Sequence, residues 1–258
     1  MKTSSQNLKS IETPKILRIW VWCQIWLHVI CGVCTLSFIF PFLDRRSKDR
    51  KIQTWSKHLL KIFNIHLAVQ DASLLSNTPY LIASNHISWL DIHVINAFKP
   101  IRFVAKSEVE GWPIFGWMAK QLGTVFIRRD STRHARQVVG QMAGVLKTES
   151  ICIFPEGTST VGDSVSPFKP NLFESAIVAQ TPVFPLSIQY LSTVSKTRSK
   201  APAFIGDMGL FESMSSIIKN RSLCAQITIF PAYSDVHQLK IDRKRVANYC
   251  QESIANSL

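Results

Sequence analysis

Apolar positions along this chain fall into two alternating rhythms. From about residue 67 onward, short apolar runs at 80–83, 101–105, 124–127, 151–154, 183–189 and 225–230 read as strands. Between them, the stretches 91–97, 114–122, 133–147, 171–179 and 242–255 carry apolar residues at helical spacing. Strands alternating with helices predict an α/β fold: a mixed, largely parallel sheet flanked by helices. Residues 192–200 are polar and basic and read as a loop, and no internal repeat or low-complexity tract interrupts the pattern.

The first part of the chain has neither rhythm. Residues 19–43 contain no Asp, Glu, Lys or Arg, and a hydrocarbon core needs about 20 such residues. Trp20, Trp22 and Trp26 crowd one end and Phe38, Phe40 and Phe42 the other, as in interfacial aromatic belts. A signal peptide would need a small-residue cleavage site, which is not evident before Pro41. A buried core helix is the bland alternative. Membrane association accounts best for the length and aromatic content, either spanning or lying in one leaflet, with Gly32 and Pro41 as candidate helix breaks. Arg45, Arg46, Lys48, Arg50 and Lys51 then form a cluster suited to anionic headgroups. Ile52, Trp55, Leu59, Ile62 and Phe63 follow at helical spacing, as an interfacial helix or one packed on the next domain. The chain thus divides into a membrane-binding helical segment, 1–66, and an α/β domain, 67–258.

Charge narrows the partners. A formal net charge of +13 over 258 residues favours nucleic acid, a phosphorylated metabolite or an anionic membrane. A nucleic-acid module leaves the uncharged N-terminal run unexplained and would need a recognition motif that the chain lacks. The six cysteines have no zinc-finger spacing and read as buried reduced thiols.

Candidate chemistry gathers at strand ends. In Asn85-His86-Ile87-Ser88-Trp89-Leu90-Asp91 a histidine precedes an aspartate by five positions, directly after a strand. Within one helix such residues point about 140° apart, so they meet only if His86 lies before the helix. Ser88 as N-cap allows this and places Asp91 in the first turn, where the helix dipole favours a carboxylate. A carboxylate on one imidazole nitrogen leaves the other as a general base. Ser88 and Asp91 also read as a plain capping box, with His86 a turn residue. Gly-x-Ser-x-Gly is absent, so His86 would activate a substrate hydroxyl. A metal site built from His86, Asp91 and His93 lacks further ligands, and no metal is expected. After the strand 151–154, Pro155-Glu156-Gly157-Thr158-Ser159 offers a carboxylate, a flexible backbone and hydroxyls. Gly123-Thr124-Val125-Phe126-Ile127-Arg128-Arg129 brings two guanidiniums to a strand end.

In order and spacing these segments resemble the glycerolipid acyltransferases of the 1-acylglycerol-3-phosphate acyltransferase family, over about residues 80–190. Asn85-His86-x4-Asp91 is similar to that family's catalytic block. Gly123-x-x-Phe126-Ile127-x-Arg129 is similar to its phosphate-binding block, Phe154-Pro155-Glu156-Gly157-Thr158 to its third, and Val183-Phe184-Pro185-Leu186 to its fourth, a proline-containing strand near the acyl site. Lys106 and Lys169 also fall at family positions. The resemblance implies His86 as base and Asp91 as its orienting partner. Arg129, with Arg128, Lys106 or Lys169, would hold the acceptor phosphate. Phe126, Glu156, Gly157, Thr158 and Pro185 would contact substrate. It implies no cofactor, only acyl-CoA or acyl carrier protein as donor, a lysolipid acceptor, membrane lipids as surroundings, and a cytoplasmic catalytic domain. Ser159 departs from the family's usual arginine after Glu-Gly-Thr. That departure leaves two acceptor classes open: 1-acylglycerol-3-phosphate, or another lysolipid such as lyso-ornithine lipid or a lysophospholipid. A catalytically silent lipid-binding protein of the same fold is the remaining alternative.

Overall fold

The computed structural model of the chain describes residues 13–127, 132–233 and 242–258. Seven strands form one sheet: β1 (Ile65–Gln70), β2 (Leu81–Ser84), β3 (Arg102–Lys106), β4 (Val125–Ile127), β5 (Ile151–Ile153), β6 (Val183–Ser192) and β7 (Leu223–Ile229). Their spatial order is β1-β7-β6-β2-β5-β3-β4. Every neighbouring pair is parallel except β6 and β7. The sheet is therefore mixed and largely parallel, as the alternation of rhythms predicts.

The helices are α1 (Lys15–Phe38), α2 (Arg45–Ile62), α3 (Asp91–Phe98), α4 (Ser107–Glu110), α5 (Phe115–Gln121), α6 (Thr132–Leu146), α7 (Glu174–Ala179), α8 (Leu210–Lys219) and α9 (Arg243–Ala255). Strand alternation sorts side chains between the two faces of the sheet. Ile82, Phe103, Cys152 and Phe184 join a core with α1, α2, α3 and α8. Leu81, Ala83, Ile151 and Ile153 join a second core with α6 and α9.

Besides the four-residue α4, two elements escaped the sequence reading. The first is β1, an edge strand that follows α2 after a left-handed Asn64 (φ 57°). Only Ile65 in it is buried, so it carries no clear alternation. It starts inside the stretch assigned to the N-terminal segment and pairs with β7 over its whole length. The second is α8, whose buried Ser213, Met214, Ile217 and Ile218 do stand at helical spacing. The run expected as a helix at 171–179 is divided into a 3-10 turn, Pro170–Phe173, and α7.

The N-terminal run forms α1 through its glycine. A Cβ on Gly32 would meet Trp55 Nε1 at 2.8 Å and Met118 Cε at 3.1 Å, so Gly32 permits close packing and does not break the helix. Pro41 instead sits in a 3-10 turn after α1 has ended. Val21, Ile25, His28, Val29, Gly32 and Leu36 form a buried stripe on the domain. The opposite stripe, including Ile16, Ile19, Trp20, Leu27, Ile30 and Phe38, is exposed. α2 is docked as well. Gln53 donates to the carbonyls of Ala97 (3.3 Å) and Phe98 (2.7 Å), satisfying backbone acceptors at the end of α3. Arg45 pairs with Asp49 at 3.1 Å and with Glu149, which Arg102 also holds at 2.5 Å. Of the five cations expected to face headgroups, Arg45 is thus tied to carboxylates, Lys48 lies over the Phe40 ring and Arg50 donates to Ser47.

All six cysteines are free. Cys152 and Cys250 are buried as expected, but Cys23, Cys31 and Cys34 are exposed on α1.

Candidate active site

The C-terminal ends of β2, β3, β4 and β5 open on one edge of the sheet, the usual location of ligand sites in α/β folds. The chain leaves β2 through Asn85, whose side chain pairs with both backbone groups of Ile188 on β6, at 2.8 and 3.0 Å. His86 follows, outside the helix, and its Nδ1 donates to Asp91 Oδ2 at 2.8 Å. The same oxygen accepts from the backbone N–H of Ile87 (2.7 Å) and Ser88 (2.9 Å). Ser88 Oγ in turn accepts from the N–H of Leu90 at 3.3 Å. The structure forms the His–Asp pair together with half of the capping box, the bond from Ser88 N–H to the Asp91 carboxylate; Ser88 Oγ takes the N–H of Leu90 and not that of Asp91. Regular helix begins at Asp91, however, with Leu90 and not Ser88 at the N-cap position.

Asp91 is fully buried, which is tolerated because its oxygens meet donors on every side. The fourth is Tyr190 on β6, whose hydroxyl donates to Asp91 Oδ1 at 2.7 Å. Sequence reasoning missed Tyr190, since 99 positions separate it from Asp91. The strand read from the sequence, 183–189, stops one residue short of it, although its side chain continues the inward alternation of Leu186 and Ile188 along β6. Burial and the adjacent Asp91 carboxylate raise the Tyr190 phenol well above its ordinary value, so it stays a donor.

The imidazole of His86 lies flat on Phe154, with ring centroids 4.1 Å apart at 18°. Phe154 stacks in turn on Phe103 at 6.1 Å. His86 keeps 21% of its side chain exposed, and its Nε2 has no protein partner among the described residues. With Nδ1–H fixed on Asp91, Nε2 is the nitrogen left with a lone pair.

Glu156 is corrected by the structure. It is only 4% exposed. Its Oε1 accepts from the backbone N–H of His86 (2.7 Å) and its Oε2 from that of Ser166 (2.8 Å). A carboxylate turned onto two backbone donors holds the His86 turn in place and is not presented to a substrate hydroxyl. Burial raises its pKa, and the two N–H bonds partly offset that. Gly157 has φ 75°, a left-handed conformation that side chains disfavour, and this lets the chain turn sharply after Glu156. Thr158 is exposed beside it. Ser159, at the departure from the family pattern, donates to the Phe204 carbonyl. Thr160 N–H donates to the His86 carbonyl at 2.8 Å. The loop after β5 therefore clamps the loop after β2.

Lys106 ends β3 and is exposed, as is Lys169, whose backbone N–H donates to Pro155 at 3.0 Å. Phe126 is half-buried on β4 beside Ala105. Arg128 and Arg129 lie outside the described residues. Pro185 is buried in β6 beside Ala83, and its carbonyl accepts from Phe230. His93, which a metal site would have joined to His86 and Asp91, packs on Trp55 and Trp89 with ring centroids at 5.3 and 5.8 Å.

Behind the site an apolar cavity of about 200 Å³ runs between α1, α2, α3 and α5. Val29, Leu36, Trp55, Phe103, Trp89 and Met118 are among its walls. Phe103 connects it to His86 through the Phe154 stack.

Comparison with known proteins matches this arrangement. The family model described as Acyltransferase covers residues 66–189. A 1-acyl-sn-glycerol-3-phosphate acyltransferase of Neisseria gonorrhoeae is 31% identical over 81% of this chain and 81% of its own length. The chain belongs to this acyltransferase family. A lyso-ornithine lipid O-acyltransferase of Pseudomonas aeruginosa is 33% identical, over 70% of this chain and 68% of its own. Among solved structures, the 1-acyl-sn-glycerophosphate acyltransferase PlsC of Thermotoga maritima shares the fold. Its TM-score is 0.67 at 18% identity, over 94% of this chain and 93% of that one. The chain is thus an acyltransferase of the phospholipid-biosynthetic type, and its His-x4-Asp block lies inside the matched region.

Proposed function

We propose that this acyltransferase moves a fatty acyl group from acyl-CoA or acyl carrier protein to the free sn-2 hydroxyl of 1-acylglycerol-3-phosphate, giving phosphatidic acid. One observation carries the reading: His86 is held through Nδ1 by a buried carboxylate, and its ring is joined by the stacked rings of Phe154 and Phe103 to an apolar cavity. Nε2 takes the proton of the acceptor hydroxyl as its oxygen attacks the thioester carbonyl. The new C–O bond forms and the C–S bond breaks. The thiolate leaves with the proton from Nε2, and the base is restored. Asp91 fixes the tautomer and stabilises the transient imidazolium. The cavity holds acyl chain, and no metal, cofactor or acyl-enzyme is required.

The acceptor phosphate is assigned to Arg129, with Arg128, Lys106 or Lys169 beside it. A specific observation favours a second acceptor. Ser159 stands where the family's arginine would, and its hydroxyl is committed to the Phe204 carbonyl. With one cation fewer, a lysolipid without a phosphomonoester, such as lyso-ornithine lipid, becomes the alternative. Relatives with both names match the chain.

The exposed apolar stripe of α1 supports attachment to a membrane. The buried stripe runs from Val21 to Leu36, about 22 Å of helix at 1.5 Å per residue. A helix held along that length cannot also cross a bilayer alone, so α1 lies in one leaflet with its bare stripe in lipid. The catalytic face is assigned to the cytoplasm, where thioester donors are made.

The test presents purified enzyme in vesicles with labelled palmitoyl thioester and either acceptor. Faster acylation of 1-acylglycerol-3-phosphate, with Arg129→Ala raising its KM by about tenfold or more through loss of a charge-assisted pair, supports the first reading. Preference for lyso-ornithine lipid with Arg129 dispensable replaces it with the second.

A further inference from the structure

Asp91 divides its bonds unequally. Oδ2 accepts three N–H groups, all from the loop that carries His86. Oδ1 accepts from a different part of the fold, the Tyr190 hydroxyl on β6. The three loop bonds move with the loop and cannot by themselves fix it against the sheet. The Tyr190 bond does fix it, because β6 lies in the middle of the sheet, paired with β2 on one side and β7 on the other.

The geometry points to Tyr190 as a positioning residue that fixes the Asp91 carboxylate plane and, through it, the His86 imidazole. This rests on the reading of His86 as the base. Among the described residues the hydroxyl is the one hydrogen-bond partner of Oδ1, at 2.7 Å, and both groups are buried. Without it, Oδ1 would lie buried with no donor, and the carboxylate would be held through Oδ2 alone, by groups of its own loop. The tyrosine ring already packs in the core, so phenylalanine keeps its volume and removes only the hydroxyl. Asn85 grips the neighbouring strand position, Ile188, by backbone groups. Together Asn85 and Tyr190 attach the loop after β2 to β6 at two points.

A double-mutant cycle tests this. Tyr190→Phe should lower kcat by about 10- to 100-fold, the scale of a hydrogen bond to a charged group. Both KM values should stay within about twofold, because Tyr190 touches no substrate. In a His86→Ala background the same change should cost less than about twofold in the residual rate, since it acts through His86. Additive losses, or an unchanged kcat in folded Tyr190→Phe, overturn the proposal. A second readout does not depend on activity: the low-field proton NMR signal of the His86 Nδ1–H. It should shift or broaden in Tyr190→Phe and vanish in His86→Ala. An unmoved signal in Tyr190→Phe also overturns it. If the unmodified protein acylates no lysolipid, the functional reading fails, while the NMR comparison still decides the role of Tyr190.

Discussion

At the scale of single residues, the His86–Asp91 pair was legible because a five-residue spacing at a strand end admits few geometries. Its supports were less so. Glu156 was read as a substrate contact, since a carboxylate in a glycine-containing turn looks available; the structure turns both its oxygens onto backbone N–H groups of His86 and Ser166. The difference is measurable. Glu156→Gln presents an amide nitrogen to one of those N–H donors, so one donor loses its acceptor and the fold loses about 1–3 kcal/mol. kcat should fall as His86 shifts, while the acceptor KM changes little. A raised KM with kcat retained would return Glu156 to the substrate. Tyr190 was not legible as a partner at all, because long-range strand pairing decides which core hydroxyl meets which carboxylate.

At the scale of elements, the strands 80–83, 101–105, 124–127 and 151–154 were each placed within a residue or so, since each reads as a short apolar run, with β2 and β5 buried at every position and β3 and β4 only partly. The edge strand β1 lacks that signature. What no pattern disclosed is how α1 and α2 close over α3. There His28 and His93 flank Trp55, at ring distances of 4.2 and 5.3 Å, and His93 lines the apolar cavity. Burial lowers His28 to about 4, assisted by His58, and His93 to about 3, assisted by His28. Unfolded histidine takes up its proton near pH 6.5, whereas the folded pair stays neutral until about pH 4 and 3. The unfolded state therefore binds more protons in that window, and stability falls as pH is lowered from about 6.5. Each histidine contributes a slope of up to about 1.4 kcal/mol per pH unit. Thermal unfolding at pH 7, 6 and 5 should show a clearly shallower pH dependence in His93→Phe. Glu156 contributes in the opposite sense but is common to both proteins and cancels in the difference. An equal slope in both would contradict the buried-neutral assignment.

For the whole molecule, charge and hydropathy were read separately and the structure combines them. A net charge of +13 suggests electrostatic attachment, yet Arg45 is tied to Glu149 and the bare stripe of α1 is apolar. Hydrophobic contact survives screening and charge attraction does not, since the Debye length drops to about 3 Å at 1 M salt. Full-length protein should therefore stay on anionic vesicles in 1 M NaCl, and replacing Trp20, Leu27 and Ile30 with Ser should release it. Release of the unmodified protein by salt alone would assign the attachment to the basic cluster of α2.

The most direct measurement is the steady-state rate of acyl transfer by folded, vesicle-bound His86→Ala, with palmitoyl thioester and each lysolipid acceptor. Removing a general base costs about 10²–10⁴ in rate. The account predicts a loss of that size, with thermal stability and vesicle binding kept, because His86 is partly exposed and, among the described residues, its ring makes one hydrogen bond, to Asp91. A folded His86→Ala enzyme that turns over at a near-normal rate would contradict it.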